Sequence, residues 1–293
     1  MYANVNEVKI FYETFGASEH SPILLIMGAG SQGILWSDNF CKALANHGFY
    51  VIRYDHRDTG FSTCIDYEKN PYTLDDLAQD ALGLLDHLNI FKANMVGLSM
   101  GGYLVQLIVI SHPERLITET LIMTTPNHMI LMKALAGEDI PSNLPKPKKE
   151  VLEFFATPPT NIDTPDGVID YSVQTWKLLN GSKVYFDEAY WRSLVTKHYN
   201  RTRDHVAQFN HGKACFATPE DRTMLLKKVD IPTLIIHGSE DPMLPIAHGR
   251  ALLDTIPKSE LLIIENMGHA LNEIFHDEIT SAITNFIHAH NPL

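Results

Sequence analysis

An open α/β sheet, mostly parallel and with helices on both faces, is the fold class that this 293-residue sequence predicts. Three observations predict it. Short continuous apolar runs, several of them ending in glycine or aspartate, have the look of strands buried on both faces. Segments with apolar residues at helical spacing separate those runs, and such alternation implies parallel strands joined by crossover helices. The rhythm stops after Thr125 and returns at Pro232, so the sheet is interrupted by a long insertion.

The elements follow in order. Val5 to Glu13 alternates apolar and polar residues, as an antiparallel edge strand or hairpin arm does. Ile23 to Met27 is a buried strand running into Gly28, and Phe49 to Tyr54 is a second one ending at Asp55. Trp36, Phe40, Ala43 and Leu44 lie between them at helical spacing. Thr73 and Asp76 form a capping-box pattern before a helix whose apolar face runs from Leu74 to Leu88. Met95 to Leu98 is the next buried strand. Met100 to Ile110 is apolar almost all round, interrupted by Gln106, and predicts an enclosed helix. Leu121 to Thr125 ends the first half of the rhythm. Pro126 to Pro219 then holds 8 of the 16 prolines, with helical stretches at Leu152 to Ala156 and Tyr190 to Tyr199. A strand at Pro232 to Gly238, another at Leu261 to Ile264 and a helix from Leu271 to His288 complete the chain.

Composition excludes several functions. A chain of this length can bury about three-quarters of its unfolded surface. The 23 basic and 35 acidic residues give a net charge of −12, a poor match to nucleic-acid phosphates. No apolar run approaches the ~20 residues of a membrane span, and the interleaved charges of Met1 to Thr14 are unlike a secretory leader. Cys41, Cys64 and Cys215 are scattered and odd in number, which fits reduced thiols in a cytoplasm rather than disulfides or a zinc site.

Two glycine motifs carry chemistry. Gly28-Ala29-Gly30-Ser31-Gln32-Gly33 follows a strand and precedes Asp55 by the spacing of a dinucleotide-binding fingerprint. The helix that would meet a pyrophosphate starts late, near Trp36, which weighs against that reading. Gly97-Leu98-Ser99-Met100-Gly101 is a G-x-S-x-G between a buried strand and a buried helix, the setting in which a serine is held on a tight turn with its hydroxyl exposed. Gly102 lets that helix pack closely on its strand.

A serine hydroxyl needs a base, and the base needs an anion that fixes its tautomer. In the expected order Ser, acid, His, Asp241 follows the Pro232 to Gly238 strand, with Glu240 as local competitor and Pro242 stiffening the turn at Asp241. Of the histidines after Asp241, His269 alone sits in a loop between the last strand and the last helix. The other histidines receive no chemical task. Trp176, Tyr185, Phe186, Tyr190 and Trp191 read as core of the insertion rather than as a ligand wall.

The whole chain resembles the α/β-hydrolases. Three stretches are similar to the aclacinomycin methylesterase group: Arg53-Tyr54-Asp55-His56-Arg57-Asp58-Thr59-Gly60, Val96-Gly97-Leu98-Ser99-Met100-Gly101, and Met267-Gly268-His269-Ala270-Leu271. The resemblance implies an eight-stranded sheet, with a core at residues 1–125 and 222–293 and a mainly helical cap at 126–221. It also gives the Gly28/Gly30 loop another job: the amides of Ala29 and Met100 become oxyanion-hole donors. Met27 stands where many members carry histidine. Asp55 becomes a structural acid beneath the loop to Ser62, with Arg57 as its expected partner.

The expected function is cleavage of a small-to-medium apolar carboxylic ester through an acyl-enzyme. A lactonase, a C–C hydrolase or a cofactor-free perhydrolase would use the same triad. A binding protein on a retired hydrolase fold and an NAD-binding oxidoreductase are the rival classes. The expectations extend to no cofactor, no metal, a small-molecule ester as partner, no nucleic acid, no membrane span, and a monomer or homodimer in the cytoplasm.

Overall fold

In the computed structural model, which describes residues 1–157 and 159–291, eight strands form one sheet. They are β1 (Tyr2–Val5), β2 (Val8–Phe15), β3 (Ser21–Ile26), β4 (Phe49–Tyr54), β5 (Ala93–Leu98), β6 (Leu116–Ile122), β7 (Thr233–Gly238) and β8 (Ser259–Ile264). Their order is β1-β2-β4-β3-β5-β6-β7-β8, with β1–β2 and β2–β4 antiparallel and every later pairing parallel. The alternating run at the N-terminus is thus a hairpin. Asn6 and Glu7 adopt positive φ in a two-residue turn, and the alternation continues on both sides of it.

Period-two geometry sends successive side chains of β3 to opposite faces. Leu24 and Ile26 join a core with Ile52 and Tyr54 under α2 (Leu74–His87) and α3 (Met100–Ser111). Ile23 and Leu25 join a second core with Val51 and Val96, under α1 (Asp38–Asn46) and α11 (His276–His290). This double burial is why the strand reads as an unbroken apolar run. Asp76 accepts the Thr73 backbone N–H at 2.7 Å, so the capping box forms as its sequence predicts. The last helix begins five residues later than periodicity suggests. Asn272 caps a separate turn by accepting the Ile274 N–H, and the buried Leu271 and Phe275 belong to that turn region.

Between β6 and β7 the described chain is helical: α4 (Met129–Leu135), α5 (Lys149–Ala156), α6 (Pro165–Leu179), α7 (Glu188–Arg201), α8 (Asn210–Phe216) and α9 (Thr223–Leu226). After β7, α10 (Ala247–Thr255) leads into β8. Proline density hides α6 in the sequence, yet Pro165 occupies its first turn, where a missing N–H costs nothing. Among the described residues no helix is long and apolar enough to cross a membrane.

β3 lies between β4 and β5, so the chain order reverses there, and the crevice at the carboxyl ends of such strands is where ligands bind in open α/β sheets. The loops bearing Ala29, Ser99, Asp241 and His269 follow β3, β5, β7 and β8 at that edge.

Candidate active site

Ser99 sits between β5 and α3 with φ 54° and ψ −116°, a conformation costly for a residue with a Cβ. Its neighbours make the turn possible. A Cβ on Gly97 would strike the Gly101 carbonyl, and one on Gly101 would strike the Ile26 carbonyl. The Ser99 N–H donates to Ile122 O at 2.9 Å, and Thr124 Oγ1 donates to Ser99 O at 2.9 Å. The elbow is therefore pinned to β6 while the hydroxyl stays free to project.

The three predicted residues come together. Ser99 Oγ lies 3.1 Å from His269 Nε2, and His269 Nδ1 lies 2.7 Å from Asp241 Oδ2. With Nδ1–H donating to the carboxylate, Nε2 presents its lone pair to the serine proton, the tautomer a general base requires. Asp241 Oδ1 accepts the Met243 and Leu244 N–H groups at 2.9 and 2.8 Å. Burial pushes the Asp241 carboxyl up, but His269, His237 and the Leu244 amide outweigh it and hold it below the usual carboxylate range. Glu240, the local competitor, instead faces Lys183 and Lys148 at 3.3 and 3.7 Å on the surface. The His269 loop is fixed from the insertion, its N–H donating to Leu179 O at 2.7 Å.

Met100 opens the 12-residue α3, whose free N–H groups and dipole favour negative charge at that end. Across the elbow, a Cβ on Gly28 would lie 3.4 Å from Ser99 Cβ, so the Gly28-Ala29-Gly30 loop passes directly over the serine. Gly30 N donates to His211 Nδ1 and Ser31 N donates to Gly28 O. Among the described residues no protein acceptor takes the amides of Ala29 and Met100.

One expected pairing is wrong. Arg57 does not pair with Asp55: it makes a buried bidentate bridge to Asp80, Nε to Oδ2 and Nη2 to Oδ1, both 2.7 Å. The Asp55 carboxylate instead accepts from Gly33 N (2.8 Å), Phe61 N (3.0 Å) and Arg201 Nη2 (2.8 Å). Its position within the loop explains the exchange. Asp55 faces the glycine loop and α7, whereas Arg57, two residues on, faces α2. These three bonds also commit the acid that a dinucleotide ribose would need. Asp55 does lie beneath the loop to Ser62, whose hydroxyl donates to Asp55 O at 2.6 Å.

A pocket beside the His269 ring is walled by Met27, Leu35, Leu98, Trp176, Trp191, Leu194, His269 and Leu271. Trp176 and Trp191 stack with ring centroids 4.8 Å apart, so the tryptophans expected as core are also wall, whereas Tyr185 is 82 % exposed and is neither. Sequence reasoning also missed the ties between insertion and core. Arg201 Nε donates to Gln32 Oε1 at 3.0 Å, and Gln32 Nε2 donates to His198 O and Thr202 Oγ1 at 2.8 and 3.0 Å. Among the described residues no His, Cys, Asp or Glu cluster is arranged to hold a metal.

Residues 21–274 match the family described as alpha/beta hydrolase fold. A rhodomycin D methylesterase of Streptomyces sp. (strain C5) is 35% identical over 285 residues, covering 95% of this chain and 94% of that one. A rhodomycin D methylesterase of Streptomyces peucetius is 35% identical over 284 residues, with the same coverage. A meta-cleavage product hydrolase of Pseudomonas fluorescens IP01 shares the fold, with a TM-score of 0.76 at 19% identity over 99% of this chain and 98% of that one.

Proposed function

Since the chain belongs to the α/β-hydrolase fold family, we propose that it is a carboxylic ester hydrolase working through Ser99, His269 and Asp241. The observation that carries this reading is the unbroken relay of 3.1 and 2.7 Å at the carboxyl edge of the sheet, opening onto an apolar pocket. Ser99 attacks the ester carbonyl as His269 takes its proton. The Ala29 and Met100 amides receive the oxyanion, and α3 adds its dipole. Asp241 stabilises the imidazolium, which then protonates the departing alcohol. Water, deprotonated by His269, attacks the acyl-enzyme and releases the acid.

The walls of Met27, Leu35, Leu98, Leu194, Leu271 and the tryptophan pair are apolar, which favours an apolar acyl group. The methylesterase relatives favour a small alcohol such as methanol as leaving group. A panel of methyl, ethyl and butyl esters with varied acyl chains, run with wild type and Ser99→Ala, tests both points. Turnover is expected to be highest for apolar methyl esters and to fall by at least ~10³-fold in Ser99→Ala. Normal hydrolysis of an activated aryl ester by Ser99→Ala sinks the reading.

A further inference from the structure

We propose that His211, on α8 of the insertion, is a positioning residue for the oxyanion loop, holding the Ala29–Gly30 peptide while His56 holds the Met27–Gly28 peptide. The proposal rests on the assignment of Ala29 as an oxyanion donor.

The loop is gripped at both ends. His56 Nε2–H donates to Met27 O at 3.0 Å, and Gly30 N donates to His211 Nδ1 at 2.9 Å. Only Gly28 and Ala29 lie between those anchors, so the direction of the Ala29 N–H is set from both sides. His211 is itself fixed, because its Nε2–H donates to Arg57 O at 2.9 Å. An acceptor at one nitrogen and a donor at the other describe a single neutral tautomer. The two rings meet edge to face with centroids 5.5 Å apart, and both are buried.

The surrounding groups favour that tautomer. Burial, chiefly, lowers His211 below the usual histidine range; the hydrogen bond to the Arg57 carbonyl and the Asp58 charge oppose it, and the Arg57 guanidinium adds to it. Burial likewise takes His56 down to about 3. Asp58 is already engaged by Tyr72 Oη at 2.6 Å and Asn210 Nδ2 at 3.0 Å. A proton on His211 Nδ1 would set two donors against each other at Gly30. Hydrogen bonding by His211 thus ties the insertion to the reaction geometry, 181 residues along the chain from Gly30.

The two ring nitrogens can be tested separately. His211→Asn places an amide oxygen near the position of Nδ1, keeping the Gly30 acceptor and giving up the Arg57 contact. His211→Gln reaches the position of Nε2, keeping the Arg57 contact and giving up the acceptor. Removing an oxyanion donor outright costs ~10²–10³ in kcat, so a misdirected one is expected to cost about 10- to 100-fold. With p-nitrophenyl butyrate, His211→Gln is expected to lose that factor in kcat at nearly constant KM, and to react as much more slowly with a fluorophosphonate. His211→Asn is expected within about threefold of wild type. Active-site titration corrects each rate for the folded fraction. Wild-type kcat in His211→Gln overturns the proposal, as does a loss in His211→Asn as deep as in His211→Gln. Ser99→Ala is run alongside. If it retains turnover, the hydrolase reading itself has failed; if it is inactive and His211→Gln is at wild-type level, only the positioning role has failed.

Discussion

Replacing Asp241 by asparagine should disable the base through its tautomer, and the surrounding hydrogen bonds say which way the new amide must point. Oδ1 accepts two backbone amides, Met243 N and Leu244 N, at 2.9 and 2.8 Å. An NH₂ group turned to that side would face two donors, so the amide oxygen must take it. The NH₂ is then left against His269 Nδ1, where the carboxylate oxygen stood at 2.7 Å. A donor there requires Nδ1 to accept, which moves the ring proton to Nε2. Nε2 then points an N–H at Ser99 Oγ and has no lone pair for the serine proton. Loss of the productive tautomer in a Ser-His-Asp triad is worth ~10⁴ in kcat, about 5.5 kcal/mol of barrier. Steady-state hydrolysis of p-nitrophenyl butyrate by Asp241→Asn should show that drop with KM little changed. Stability should move as well. The native Asp241 pKa is depressed, so its stabilisation is present above the unfolded carboxylate value and is lost as pH falls through the native one. A kcat within about tenfold of wild type would mean that Asp241 does not set the His269 tautomer.

Two further predictions concern buried charge. Glu119 is fully buried on β6, and burial raises its carboxyl to about 8, with Thr233 Oγ1 the one side-chain donor to it among the described residues, at 2.7 Å. Its raised native value means full stabilisation below ~4.5 that is lost as pH climbs through about 8, roughly 5 kcal/mol at ~1.4 kcal/mol per pH unit. Urea unfolding of Glu119→Gln should therefore match wild type near pH 5 and exceed it by several kcal/mol at pH 8–9; parallel profiles contradict this. Asp80→Asn strips the buried Arg57 guanidinium of its carboxylate and should cost about 3–5 kcal/mol in the same assay. A cost under ~1 kcal/mol would mean that water reaches Arg57.

The strands and the candidate triad were legible because each obeys a local rule. β3, β4 and β5 are buried on both faces and so read as apolar runs, and Ser99 sits between glycines whose missing Cβ atoms permit its turn. Where polar groups are buried, legibility fails. β6 extends back to Leu116, but Thr118, Glu119 and Thr120 interrupt its apolar pattern although all three are inside. The insertion was opaque for a different reason. Its ties to the glycine loop join residues more than 160 positions apart, such as Gln32 with His198 and Gly30 with His211, and no period or spacing encodes such a pairing. The partner of Asp55 was misread on the same account. Nearness in sequence favours Arg57, whereas the folded chain supplies Arg201 from α7 and turns Arg57 toward Asp80.

Ester hydrolysis by this chain stands or falls on Ser99 being a nucleophile activated by His269. Intact-mass measurement after reaction with a fluorophosphonate tests it most directly, because phosphonylation displaces fluoride and marks the attacking oxygen. One adduct per chain is expected, mapped to the peptide bearing Ser99, absent in Ser99→Ala and strongly slowed in His269→Ala. An adduct that persists in Ser99→Ala, or wild type that stays unlabelled while hydrolysing esters, would contradict it.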